Sequence, residues 1–326
     1  MATMKAAVLE QAGRPLRSAE IERPRPQAGE VLVRVKASGV NPLDLKIKAG
    51  QAAHARHPLP AILGIDLAGV VEAVGPGVTA FRLGDEVYGM TGGVGGVPGS
   101  LAEFAAVDAQ LLAQKPVNLS MREAAALPLT FITAWEGLVD RVKLEAGRTV
   151  LVLGGAGGVG HMAVQIAIAR GAKVFATDST TKAGFLQSLG ATPIDRAIPA
   201  EVHVADHTGG KGFDVIYDTI GNLDDAFKSV ARFGHVASSL GWGTHALAPL
   251  SFKAATYSGV FTLLPLLTGE GRAHHGAIMR EATHLAESGR LMPRLDRRGF
   301  SLDQVEAAHR LVAERNAEGK VVVTVG

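Results

Sequence analysis

The chain has no cysteine, and that absence removes disulfides, thiolate nucleophiles and cysteine-ligated zinc together. Aromatic residues make up only 5% of the sequence, whereas glycine occurs 40 times. Glycine tolerates positive φ and close backbone approach, so this balance points to many tight turns and α/β crossovers. No excess of one charge is present: 33 basic and 31 acidic residues are mixed along the chain, for a net charge of +2. Without the clustered basic stripe that phosphate-backbone binding needs, nucleic acid is not an expected partner. Apolar runs such as Ser258 to Thr268 fall short of the roughly 20 residues of a membrane span. The N-terminus runs directly into strand-like sequence without an apolar secretory segment, and a cytoplasmic protein is expected.

What is present divides into two textures. At 326 residues and 47% hydrophobic, the chain exceeds the roughly 100 to 200 residues of a usual single core, which predicts two domains. Residues 4–9, 30–36, 68–74 and 85–89 alternate or cluster β-branched residues between breaks rich in proline and glycine. The first third therefore reads as short strands in a closed, mostly antiparallel sheet. Near residue 121 the pattern changes: helical content over 121–139, broken at Pro128, precedes the unbroken apolar run TVLVL at 149–153, the mark of a strand buried on both faces. A helix over 159–170, a strand over 172–177, a helix around 182–189 and further apolar runs at 213–217 and 234–238 follow. Strands alternating with helices at this spacing predict a parallel, doubly wound sheet. Beyond about residue 245 the pattern is helical until the closing KVVVTV, a strand expected to return to the first domain.

The most informative segment is LVLGGAGGVGHMAVQIAIARGAKVFATD, Leu151 to Asp178. Its glycines, Gly155, Gly157, Gly158 and Gly160, stand between an apolar strand and a helix, with Val159 among them. In that context glycines permit a tight turn and let backbone amides approach a pyrophosphate at a helix N-terminus. A bare glycine pattern is weak evidence; here a second strand follows, ending in an acidic residue 18 positions after Gly160.

The run AGGVG-x4-Q-x-A resembles the signature of quinone oxidoreductases and ζ-crystallins, a zinc-free branch of the medium-chain dehydrogenase/reductase superfamily. Further segments carry the likeness along nearly the whole chain: SGVNPLDLKIKAG (38–50), GIDLAGVVEAVGPGV (64–78), GDEVYG (84–89), GSLAEFAAV (99–107), AAALPLTFITAWEGL (124–138), FDVIYDTIG (213–221) and GKVVV (319–323). NPxDxK and LPLxxxTAxEGL look more like the alkenal/enone reductases than the benzoquinone reductases. The resemblance implies an α/β protein with a GroES-like, mostly antiparallel β-barrel substrate domain, residues 1–122 completed by about 265–326. A Rossmann domain over 123–264 and an active-site cleft at the junction complete the expected layout, with homodimerisation through edge strands of the Rossmann sheets.

The same resemblance implies site roles. Asn41 should contact nicotinamide or substrate, and Thr130 the nicotinamide ribose or carboxamide. Thr219 to Gly221 and Ser239, Leu240 and Gly241 follow later strands, whose carboxyl ends deliver loops to a cofactor. Asn316 and Lys320 are further carried-over cofactor contacts. Asp178 is placed to accept hydrogen bonds from an adenosine ribose 2′-hydroxyl, which would suit NADH, yet Ser179, Thr180, Thr181 and Lys182 match the grip on a 2′-phosphate. NADPH is the expected cofactor, with NADH the alternative.

Zinc is not expected. Where zinc alcohol dehydrogenases have a cysteine and a His-Glu pair, this sequence has Asn41, Ile65 and Asp66. His54 and His57 form an HxxH pair, but flank a proline-rich loop and are expected to be exposed. Without a metal, negative charge on a conjugated oxygen needs a cationic or hydrogen-bonding side chain, and Lys46, on the loop 41–48, is the candidate. Asp44 reads as a structural hydrogen-bonding group. The expected activity is hydride transfer to a quinone, enone or enal. A non-catalytic NADPH-binding structural or redox-sensing protein is the alternative from another class, and an alcohol dehydrogenase is disfavoured by the missing ligands.

Overall fold

The computed structural model describes residues 2–326. The chain divides into two compact units: one runs to Leu129 and resumes over Leu263–Gly326, the other comprises Thr130–Thr262.

The first unit opens with β1 (Thr3–Leu9), β2 (Arg17–Glu22) and β3 (Glu30–Gly39), followed by β4 (Ala61–Ile62), β5 (Asp66–Val74), β6 (Glu86–Met90), β7 (Phe104–Asp108) and β8 (Leu112–Gln114). β3 and β5 pair antiparallel from Val31↔Val74 to Gly39↔Asp66. This register places Asn41, two residues beyond the end of β3, beside the start of β5. β2 is not evident from the sequence, because its RSAEIE alternates exposed with half-buried residues and has no fully buried face. The stretch 41–48, expected to be a loop, is instead a helix over Pro42–Lys48. Pro42 suits a first helical position, and the Asp44 carboxylate accepts the Asn41 backbone N–H at 2.7 Å, one half of a capping box.

In the second unit β9 (Thr149–Leu153), β10 (Lys173–Asp178), β11 (Thr192–Asp195), β12 (Phe213–Asp218), β13 (Val230–Ser238) and β14 (Thr256–Gly259) form one sheet in the order β11-β10-β9-β12-β13-β14. Every neighbouring pair is parallel. The order reverses between β9 and β12, where an open α/β sheet presents a crevice at its carboxyl edge. Leu151, Phe175, Ile216, Phe227 and Val236 lie in the core that fixes these strands. β14 lies in the region read as helical, because TYSG is short and only half-buried. The helical stretch over 121–139 resolves into Met121–Ala124, Pro128–Trp135 and a π-helical turn over Glu136–Arg141. There Gly137 packs so closely on Tyr217 that a Cβ would stand 2.3 Å from its ring, while the Tyr217 hydroxyl donates to the Thr133 carbonyl at 2.7 Å.

The closing strands, β15 (Phe300–Ser301) and β16 (Val322–Thr324), belong to the first unit. β16 pairs antiparallel with the end of β3, Val322 opposite Gly39. Lys320 is thereby carried close to Asn41. Among the described residues no helix is long and apolar enough to cross a membrane.

Candidate active site

In the second unit β9 ends in Gly154, whose φ of +79° is open to glycine at little cost. A Cβ there would meet Ile220 Cγ2 at 2.4 Å. Gly154 lies outside the glycine pattern Gly155, Gly157, Gly158 and Gly160, and its signal in the sequence is the doubled glycine that ends the strand. Gly160 is equally constrained, since its Cβ would lie 2.0 Å from the Gly154 carbonyl oxygen, and Gly155 abuts the Ala176 methyl. The helix Gly158–Ala169 starts from Gly157, an N-cap without a side chain. Gly157 and Gly158 are exposed, so the helix start can receive an anion. Thr130 packs beside it: a Cβ on Gly158 would be 3.4 Å from Thr130 Cγ2. This turn, closed against its own carbonyl with the helix start open, fits a dinucleotide pyrophosphate.

The loops after β12 and β13 share one organiser that sequence reasoning missed. Asp218 is fully buried; its Oδ1 accepts the N–H groups of Ile220, Gly221 and Asn222 at 3.0 to 3.1 Å, and its Oδ2 accepts the Ser238 hydroxyl at 2.7 Å. Ser238 Oγ in turn accepts the Leu240 N–H at 3.0 Å, and the Asp218 carbonyl takes the Ser239 N–H at 3.2 Å. One carboxylate thus fixes 219–222 and 238–240. The Thr219 hydroxyl donates to the Leu153 carbonyl at 2.7 Å, and Gly241 leaves room for the Tyr257 hydroxyl, 2.0 Å from where a Cβ would stand. At the end of β10, Asp178 Oδ2 accepts the Ala156 N–H at 3.1 Å and Oδ1 the Ser179 N–H at 2.8 Å. The Ser179 hydroxyl meets that of Thr181 at 2.9 Å, and Lys182 closes a short 3-10 turn.

The first unit holds a buried polar cluster. Asn41 Nδ2 donates to Asp66 Oδ2 at 3.0 Å and to the Gly39 carbonyl at 3.3 Å. The Lys320 ammonium donates to Asp66 Oδ2 at 2.9 Å and also to Asn41 Oδ1. Asp66 Oδ1 takes the Leu129 N–H at 2.7 Å. Both Asn41 amide hydrogens are therefore engaged, leaving one lone pair on Oδ1 for other contacts. Below them Asp44 is buried with Oδ1 free of any hydrogen-bond partner. Burial, with the nearby Asp66 charge adding to it, raises its carboxyl to about 7.

The remaining candidates lie apart from this cluster. Lys46 is exposed on the Pro42–Lys48 helix, whose buried residues are Asp44 and Ile47. Asn316 is exposed and bonds Glu314 Oε2 at 3.2 Å, with its carbonyl accepting from Arg298; it does not join Lys320. His54 and His57 are half-buried rather than exposed. The reason for His57 is local: its Nδ1 accepts the Gly96 N–H at 3.2 Å, and Nε2 lies 3.4 Å from the Ile62 carbonyl. Among the described residues no group of three or more His, Cys, Asp or Glu could hold a metal ion.

Two family models match: alcohol dehydrogenase GroES-like domain over residues 27–117 and zinc-binding dehydrogenase over residues 189–323. The chain is 38% identical to 2-methylene-furan-3-one reductase of Solanum lycopersicum over 90% of this chain and 71% of that protein. The chain belongs to the medium-chain dehydrogenase/reductase superfamily.

Within the superfamily it is also 36% identical to the NADPH-dependent alkenal/one oxidoreductase, chloroplastic, of Arabidopsis thaliana, over 92% of this chain and 73% of that protein. The crystal structure of an alcohol dehydrogenase superfamily protein from Novosphingobium aromaticivorans is similar with a TM-score of 0.98 and 57% identity, covering 99% of this chain and 100% of that one. For a medium-chain dehydrogenase/reductase whose family model is named for zinc, the donor set matters. Ile65 offers no ligand atom, and Asn41 and Asp66 already bind the Lys320 ammonium. A divalent ion beside that ammonium would meet like charge and lack imidazole and thiolate donors, so these residues do not fit zinc.

Proposed function

We propose that this oxidoreductase reduces α,β-unsaturated carbonyl compounds with NADPH, without zinc and as a homodimer, with quinones as a further class of acceptor. The glycine turn carries the reading: Gly154 and Gly160 admit no side chain, and the helix behind them starts with exposed glycines. The printed activities of the two plant relatives support the acceptor class. When bound, the coenzyme supplies hydride to the β-carbon of the acceptor.

In this reading the amides at Gly157 to Gly160 hold the pyrophosphate, and the loops fixed by Asp218 flank the nicotinamide end. Thr130, beside the helix start, belongs to the same coenzyme set. Reduction puts negative charge on the conjugated oxygen and requires a proton at the α-carbon. Lys46 serves the oxygen: its ammonium is exposed and has no ion-pair partner among the described residues. Such a cation stabilises charge that develops during reaction. Asn41 holds the start of the helix that carries Lys46, through Asp66 and Lys320. β14, an edge strand, is the surface proposed for pairing with a second copy.

An anaerobic panel of enones, enals and quinones with NADPH and NADH, followed by loss of reduced-coenzyme absorbance, tests the assignment. Turnover of enones or enals supports it. Coenzyme binding without turnover of any acceptor would instead favour a non-catalytic binder, and a monomer in sedimentation would refute the dimer.

A further inference from the structure

The parallel sheet has a second edge, where β9, β12 and β13 begin at Thr149, Phe213 and Val230, opposite the carboxyl ends that carry the glycine turn. A cavity of about 640 Å³ opens there between the loop 207–212 and the start of β13. Phe213 pairs with Val230 but Val215 with His235, so the surplus residues of β13 bulge outward and bring Arg232 to the cavity. The bulge carries Phe233 at a φ of +61°, strained for an aromatic residue, with its N–H on the Lys253 carbonyl at 2.8 Å. Facing it, Gly212 packs backbone to backbone: at a φ of +85°, a Cβ there would stand 2.7 Å from the Ala231 nitrogen. Lys211 is thereby held on the wall that Arg232 shares.

That wall is cationic. Lys211 and Arg232 are exposed, and neither has an ion-pair partner among the described residues. His207 adds a half-buried imidazole whose ring centroid lies 5.2 Å from that of Phe175, and the Lys173 ammonium lies 5.2 Å from the same Phe175 ring. Asp214 is the one carboxylate lining the cavity among the described residues. It is already engaged: Oδ2 accepts the Thr149 N–H at 2.8 Å and the Thr149 hydroxyl at 2.7 Å, and Oδ1 lies 3.7 Å from Arg148 Nη1.

We propose that this cavity is a second ligand site, which takes a small polyanion bearing phosphate or carboxylate groups. Arg232 can give such an anion two parallel hydrogen bonds, and Lys211 a compact point charge. His207 supplies a ring N–H beside them. A concave wall of one charge sign concentrates the field on its ligand, and the only opposing carboxylate is tied to Thr149 and Arg148. The site is built within the second unit alone and does not depend on the coenzyme or the acceptor assigned above.

Calorimetric titration of the full chain with inorganic pyrophosphate and with citrate tests this, with excess NADPH present so that the glycine turn is occupied. Saturable binding of at least one anion is expected; pyrophosphate alone would assign the site to phosphate groups, and citrate alone to carboxylates. Lys211→Ser and Arg232→Ser should each weaken that binding by about tenfold or more, the scale of a lost charge-assisted hydrogen bond. Arg25→Ser and Arg310→Ser, which remove exposed charges from the first unit, should leave it unchanged. Binding of neither anion, binding insensitive to Lys211→Ser and Arg232→Ser, or equal weakening by all four substitutions would overturn the proposal.

Discussion

The Lys320 ammonium lies 2.9 Å from Asp66 Oδ2, with the lysine side chain 9% exposed and the aspartate fully buried. The two residues are 254 positions apart. One opens β5 and the other precedes the last strand, so their contact joins the two segments of the chain that make up the first unit. Removing one partner of such a pair leaves a buried charge uncompensated, a loss of about 3–5 kcal/mol. Lys320→Met should lower stability by that order in urea unfolding, and adding Asp66→Asn should recover part of it. A double variant no more stable than Lys320→Met would show that the ion pair is not what matters.

Asp44 supplies a pH signature. Its carboxyl is raised from 3.8 to about 7, chiefly by burial, so the folded state holds the proton more tightly than the unfolded chain. The stability this gives is complete below the unfolded value and is lost as pH rises through about 7. Each unit of difference corresponds to about 1.4 kcal/mol. Asp44→Asn, which cannot ionise, should therefore gain thermal stability relative to wild type between pH 5 and pH 8.5, read as a widening Tm difference. A difference that stays constant across that interval would contradict the assignment.

His309 shifts the opposite way. Both ring nitrogens are buried with no hydrogen-bond partner, and burial, aided by the Lys48 charge, lowers the ring from 6.5 to about 4. The folded state keeps it neutral while the unfolded chain takes up a proton below 6.5, so stability falls as pH drops from 6.5 toward 4. His309→Leu should stabilise the protein more at pH 5 than at pH 8 in thermal melts. Equal effects at both values would show that the histidine does not titrate on unfolding.

Lys46 separates chemistry from binding. Lys46→Ala should reduce kcat for an enone by about 100-fold or more, the scale of a lost charge-stabilising donor. The dissociation constant for NADPH should change little. An unchanged kcat would remove Lys46 from the reaction.

Much of the Rossmann unit was legible because its strands are continuous apolar runs: TVLVL at Thr149–Leu153 is buried from Val150 to Leu153. Buried parallel strands write themselves in the sequence. β2 did not, since RSAEIE has no fully buried position, nor did β14, four residues long. The Pro42–Lys48 helix was obscured by its length and by Asn41, whose side chain turns away to Asp66 and Lys320. The glycine turn could be found from its local pattern, whereas Asp218 could not. Its importance comes from binding amides of its own loop and a hydroxyl 20 positions away, a relation that no local spacing encodes.

In the proposed function the glycine turn presents a nicotinamide coenzyme to an unsaturated carbonyl with no metal ion involved. Protein dialysed against a chelator, then mixed anaerobically with NADPH and an enone, gives the most direct measurement. Equimolar loss of reduced coenzyme and formation of the saturated ketone are expected, at the rate seen before dialysis. Activity that vanishes on dialysis and returns only with added zinc would contradict it.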